Sequence, residues 1–352
     1  MLRVLHLASG NRWTGAAAPA FADVEALRAA GVDAHYGFVG GYKLEAKIRH
    51  HDFVHPLIEK AQNPISFTRT VNAITRLVQR HGFDFIHAHL TWDHWLARFA
   101  ARGGNVRIAR TFHARRVLRT DVFTRSLIDR TSVICVVNDA FRSASAIANR
   151  SPVFTPPALD LAQFVPEGED ARPLYGIAPD AKLITVIGKI VRGRGFEAAI
   201  ETFAHVRREV AEARMMIIGH GEHRSELEQL AASFGIQNDI TWAGYHEDDL
   251  AAHYRASDVL LFTARGSDEG HRAVLEAMAC GVIPATFPLE GITALLGRPD
   301  LVSSAANAES LAQVVTKIFA NDLAPLRRSV WQRAQEFGYE KAAERLIAAY
   351  SV

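Results

Sequence analysis

Short runs of apolar, mostly β-branched residues recur along this chain, separated by longer segments in which apolar positions return every three or four residues. The first pattern suits strands buried on both faces, and the second suits helices laid against them. In the first half the pattern predicts strands near 2–7, 33–38, 84–87, 106–111 and 132–137, with helices near 17–30, 66–81, 92–102 and 139–149. In the second half it predicts strands near 183–188, 213–218, 239–242, 258–263 and 282–286, again with helices between them. This alternation predicts an α/β chain with two doubly wound parallel sheets.

A proline- and acid-rich stretch from Pro156 through Asp170 breaks both periodicities, which places a linker at about 156–178. The expected domains are 1–162 and 163–335, followed by a terminal helix over 336–352 that packs back on the first domain. The segment 323–351 reads as two helices interrupted near Gly338.

At 352 residues the chain exceeds the usual size of a single core, which agrees with two domains. No stretch of about 18 uncharged apolar residues occurs, and Met1 to His6 lead straight into a strand pattern, so a cytoplasmic protein is expected. Two cysteines, Cys135 and Cys280, offer neither a disulfide framework nor a thiolate metal site. Residues 1–162 carry 21 Lys or Arg against 12 Asp or Glu, whereas the remainder carries 19 against 26. Nine arginines fall between 98 and 130, an anion-facing pattern in which Arg115, Arg116 and Arg119 are candidates to meet an acceptor or an anionic membrane.

The segment Ala264 to Gly281 concentrates candidate chemistry. It follows an apolar strand and turns into an amphipathic helix, so its polar loop sits at a strand's carboxyl end and a helix's amino end, where α/β folds bind ligands. Asp268, Glu269 and Glu276 supply carboxylates there, and Gly270 and His271 open the helix. A second segment ends a strand at Gly188 and continues Lys189, Ile190, Val191, Arg192, Gly193, Arg194, Gly195. Two cations flanking a glycine-bearing turn suit a diphosphate, although the P-loop spacing is absent.

These residues resemble the retaining glycosyltransferases of family 4. Asp268 and Glu276 stand eight apart, as in that family's acid, seven residues, acid motif, and the segment ends in the family's usual Glu-Ala-Met-Ala-Cys-Gly. The resemblance implies that Glu276 binds the nucleotide ribose and that the first acid contacts donor-sugar hydroxyls. Asp268 replaces the usual glutamate, so either Asp268 comes closer through a shifted loop or Glu269 takes the role. Lys189 and Arg194 match the family's two diphosphate-binding cations with the types exchanged, which keeps the charge and alters the fork geometry.

Further matches follow the same resemblance. Gly15 fits the second glycine of a phosphate-facing loop, with Thr14 where the first is usual. His113, after the strand 106–111, corresponds to a histidine that contacts the donor sugar. His87 and His89 match a family strand, and alternation puts both on one sheet face. Tyr245 lies near the position that contacts the base.

The resemblance implies a GT-B architecture, two Rossmann-like domains facing across a cleft, and metal-independent transfer with retention. The donor would be a nucleotide-diphosphate sugar and the acceptor a glycan or lipid-linked hydroxyl, in synthesis of cell-surface polysaccharide, lipopolysaccharide or glycolipid. No cofactor, no catalytic metal and no nucleic-acid partner are expected, and peripheral contact with the inner face of the membrane is. A nucleotide-sugar 2-epimerase of the same fold and a non-catalytic nucleotide-sugar-binding protein are the alternatives. A dinucleotide oxidoreductase is disfavoured because no Gly-x-Gly-x-x-Gly follows the first strand.

Overall fold

The computed structural model describes residues 1–10, 15–61, 63–246, 248–264 and 269–351. It divides into two compact units, one comprising Met1–Leu159 with Phe337–Val352 and the other Asp160–Glu336.

In the first unit the strands are β1 (Arg3–Ala8), β2 (Asp33–Val39), β3 (Val54–Ile58), β4 (Phe85–Ala88), β5 (Arg107–Phe112), β6 (Val133–Val136) and β7 (Val153–Phe154). They form a sheet in the order β3-β2-β1-β4-β5-β6-β7, parallel throughout. Its helices are α1 (Ala17–Ala29), α2 (Lys43–Ile48), α3 (Pro64–His81), α4 (Thr91–Ala100) and α5 (Val122–Ile128). Alternation along the strands sorts the two faces. Val4, Ala34, Tyr36, Phe85 and Ala109 pack towards α1, whereas Leu5, Leu7, Ile86 and Ile108 pack towards α3 and α4.

The second unit contains β8 (Lys182–Ile187), β9 (Ala213–Ile218), β10 (Ile240–Gly244), β11 (Val259–Phe262) and β12 (Ile283–Thr286), in the order β10-β9-β8-β11-β12 and again parallel. Its helices are α6 (Phe196–Glu209), α7 (Arg224–Ser233), α8 (Leu250–Arg255), α9 (Arg272–Ala279), α10 (Ile292–Leu296), α11 (Ala308–Phe319) and α12 (Leu323–Gln335). The last helix, α13 (Tyr339–Tyr350), returns to the first unit. There Leu346, Ala349 and Tyr350 join the core under α1, and Tyr339 donates its hydroxyl to Glu25 of α1 at 2.9 Å.

Both sheets reverse winding direction once, between β1 and β4 in the first unit and between β8 and β11 in the second. At such a point the loops from the two neighbouring strands diverge and leave a crevice at their carboxyl ends. One sequence expectation fails: residues 139–149 form no α-helix but two short 3-10 turns, Asp139–Ser143 and Ala148–Arg150, with Ala144 extended between them. Asn138 starts the first turn by accepting the backbone N-H of Ala140. Ser, Asn and Asp compete for backbone groups in this way and shorten helices.

Candidate functional site

The second unit's switch point is built from backbone packed on backbone. Gly219, after β9, has φ +141°, and a Cβ there would lie 1.9 Å from the carbonyl oxygen of Gly188 after β8. The N-H of Ile190 reaches the His220 carbonyl at 2.9 Å, and the N-H of Gly219 that of Gly244 at 2.6 Å. Gly195 is pressed as closely on the end of β11: its Cβ would meet the Thr263 carbonyl at 2.6 Å, and Thr263 donates its hydroxyl to the Gly195 carbonyl at 2.7 Å. The turn from Lys189 to Arg194 is therefore clamped on one side by the β9 end and on the other by the β11 end.

On that turn Arg192 pairs with Glu226, while Lys189 and Arg194 are exposed and have no acidic partner among the described residues. Behind it, the buried His223 joins Glu197 at 2.6 Å, tying the start of α6 to the turn before α7. Tyr245 follows β10, exposed, with its ring edge-on to His220 at 5.3 Å.

Glu276 lies one turn into α9 and is buried. A buried carboxylate needs compensation, and it accepts bonds from Arg272 Nε at 2.7 Å and from the Tyr254 hydroxyl at 3.1 Å. Burial and the adjacent Glu276 charge hold the Tyr254 phenol protonated. His271 opens α9 at φ +55°, a conformation seldom adopted outside glycine. Its Nε2 donates to the Glu290 carbonyl at 3.0 Å, and its buried Nδ1 has no hydrogen-bond partner among the described residues. Gly270 is buried and Glu269 half-buried. Asp268 falls outside the described residues, as does Thr14.

In the first unit Asp93 organises the switch point. It is wholly buried and accepts the N-H of Ser9 after β1 at 2.9 Å and that of Leu90 after β4 at 2.7 Å. Burial pushes its carboxyl up to about 6. Arg110, on β5, is also buried, and burial lowers it to about 10 against the pull of Asp93. Its Nε and Nη1 have no hydrogen-bond partner among the described residues, and its guanidinium lies 4.8 Å from the centre of the Phe112 ring. Gly15, at φ +64°, precedes α1.

His113 stands at the carboxyl end of β5, half-buried, and bonds His89 at 3.0 Å. Burial, then the nearby Arg110 charge, lowers it to about 3, so it is neutral. Arg115, Arg116 and Arg119 are exposed just beyond. Between them and the exposed Arg125, Val122 and Phe123 are 72% and 69% exposed at the start of α5.

Asp93, Arg110, His6 and Tyr350 were not singled out from the sequence. Asp93 carried a signal, since it stands three residues after Leu90 at a helix start, the spacing from which a side chain reaches back to the cap N-H. Tyr350 carried none, being 263 residues from the His87 it contacts. Among the described residues two histidine groups bring metal-type ligand atoms within 4.8 Å of one another, His6 with His87 and His89, and His246 with Asp249 and His253. Every ring nitrogen in both already has a hydrogen-bond partner.

A family model described as glycosyl transferases group 1 matches residues 168–337, and one described as glycosyltransferase family 4 matches residues 20–146. The chain belongs to the group 1 glycosyltransferases. It is 26% identical over 250 residues to the GDP-mannose-dependent alpha-(1-6)-phosphatidylinositol monomannoside mannosyltransferase of Mycolicibacterium smegmatis, covering 64% of each chain. It is 28% identical over 216 residues to the D-inositol 3-phosphate glycosyltransferase of Geodermatophilus obscurus, covering 57% of this chain and 47% of that one. The matches thus span about half to just under two thirds of those relatives. Among solved structures, Anabaena HepE in complex with UDP and glucose superposes with a TM-score of 0.80 over the whole of both chains at 16% identity. That likeness defines the fold as GT-B.

Proposed function

We propose that this protein transfers a sugar from a nucleoside-diphosphate sugar to an acceptor hydroxyl, with retention of anomeric configuration and without a metal. One observation carries the reading: Lys189 and Arg194 stand without acidic partners, among the described residues, on the turn clamped at the second unit's switch point.

Breaking the bond between sugar and diphosphate develops negative charge on the leaving phosphate, and fixed cations that face it lower the barrier. Lys189 supplies a compact charge and Arg194 a planar fork. Glu276, its charge balanced by Arg272, is the carboxylate assigned to the ribose hydroxyls. His113, being neutral, offers a ring nitrogen to a sugar hydroxyl, and Asp268 or Glu269 offers a carboxylate. The acceptor hydroxyl attacks on the side from which the phosphate departs, and that phosphate takes its proton. No carboxylate nucleophile enters the scheme.

The phosphatidylinositol mannoside relative supports a lipid-linked acceptor. So does the surface at α5, where Val122 and Phe123 protrude among arginines, the composition of a patch that rests on an anionic leaflet. Among the described residues no helix is long and apolar enough to cross a membrane.

A thermal-shift series with UDP, GDP and their sugars tests the donor site, because a ligand held by the folded state raises its melting temperature. One nucleoside diphosphate should raise it, and Arg194→Ala should abolish the rise. If no nucleoside diphosphate raises it, the proposal fails. Formation of an epimerised nucleotide sugar without acceptor would identify an epimerase instead.

A further inference from the structure

One continuous line of polar groups crosses the sheet face beneath α13. His6, His87 and Thr111 share the face of Val4, Phe85 and Ala109, and His6 lies opposite His87 in the strand register. Thr111 Oγ1 is 2.7 Å from His87 Nε2, and His87 Nδ1 is 2.5 Å from the Tyr350 hydroxyl. That hydroxyl is 3.2 Å from His6 Nε2, and His6 Nδ1 is 2.9 Å from His89 Nε2. His89 Nδ1 is then 3.0 Å from His113 Nε2. The line runs from the core to the residue at the end of β5.

Each link holds one proton, so among neutral imidazoles the direction of one link fixes all the others. The rings are neutral: burial lowers His6 and His113 to about 3 and His87 and His89 well below their usual range. Of the groups near the line, burial pushes the Asp23 carboxyl on α1 well above its usual range and the Cys135 thiol on β6 up to about 12, and the Arg110 charge disfavours a protonated His89.

The phenol sets the direction. Tyr350 lies nearer to His87 than to His6, and a phenol that donates to His87 Nδ1 accepts from His6 Nε2. His6 Nδ1 in turn accepts from His89 Nε2, and His89 Nδ1 from His113 Nε2. His113 is left with a bare Nδ1. At the other end His87 Nε2 donates to Thr111, whose hydroxyl interacts with Cys135.

We propose that Tyr350, His6 and His89 are positioning residues that lock His113 in its Nε2-protonated tautomer, so that Nδ1 presents an acceptor to a donor-sugar hydroxyl. The sugar contact rests on the function proposed above, whereas the lock does not. A zinc centre at His6, His87 and His89 would need lone pairs converging on one point at about 2.0–2.1 Å, and these are turned along the line instead.

Nitrogen-15 NMR of histidine-labelled protein reads the tautomers directly. In the wild type His113 should show a protonated Nε2 and a bare Nδ1. Tyr350→Phe keeps the ring and removes the link, so His113 should become a mixture of tautomers, and kcat should fall about tenfold with donor KM changed less. A His113 protonated at Nδ1 in the wild type, an unchanged tautomer in Tyr350→Phe, or stoichiometric zinc on the three histidines would overturn the lock. The wild-type spectrum decides the matter even if the variant fails to fold. A chain with the expected tautomers and no transfer activity would refute the proposed function and leave the lock standing.

Discussion

At the scale of single residues, charge and its compensation decide what each group can do. Arg194 and Glu276 act on different parts of the same nucleotide in the proposed reaction, so Arg194→Ala and Glu276→Ala should each lower turnover by at least about tenfold. Arg194→Ala should leave the melting temperature nearly unchanged, since that side chain is exposed and unpaired with any acid among the described residues. Glu276→Ala should lower it, because Tyr254 and Arg272 lose their acceptor. Wild-type steady-state rates in both variants would refute the assignment. Asp93→Ala strips the buried acceptor from two backbone N-H groups and the nearest compensation from Arg110, a loss of about 2–4 kcal/mol in denaturant titration.

At the scale of elements, the turns matter more than the helices they start. Gly219→Ala would drive a methyl into the Gly188 carbonyl, and neither backbone can move without pulling β8 from β9. A loss of about 3 kcal/mol or more is expected, together with loss of nucleotide binding, measurable by urea titration and thermal shift. Most strands and long helices were legible in the sequence because buried parallel strands leave uninterrupted apolar runs. The half-exposed β3, with Val54 and Leu57 around His55 and Pro56, left no such run and was missed. That Lys189 and Arg194 follow β8 and that Glu276 lies on the helix after β11 was readable from motif spacing. The roles of Tyr350 and Arg110 were not, because each arises from pairings between residues far apart in the chain, which periodicity does not encode.

At the scale of the whole molecule, neutral histidines make stability depend on pH. In the folded first unit His6 and His113 titrate near 3 and His55 near 4, and His35, His87, His89 and His94 are also lowered. The unfolded chain takes up those protons near 6.5, so the stability is complete above that pH and is lost as pH falls towards the folded values. Each fully buried ring contributes up to about 1.4 kcal/mol per pH unit. Asp93, raised to about 6, and Asp23, also raised by burial, act in the opposite sense, but they are outnumbered. In the second unit His253 is the histidine lowered among the described residues. Calorimetry from pH 7.5 to 5 should therefore show the first unit's transition moving down and separating from the second's; a midpoint independent of pH would contradict the buried neutral rings. The return of α13 to the first unit has its own consequence for how the protein is made. Ribosomal synthesis delivers residues 160–336 before the helix that joins α1 over β1 and β4, so the earlier-made sheet must wait, one face covered only in part by α1, while the later-made half completes itself. The half that begins first is the half that finishes last.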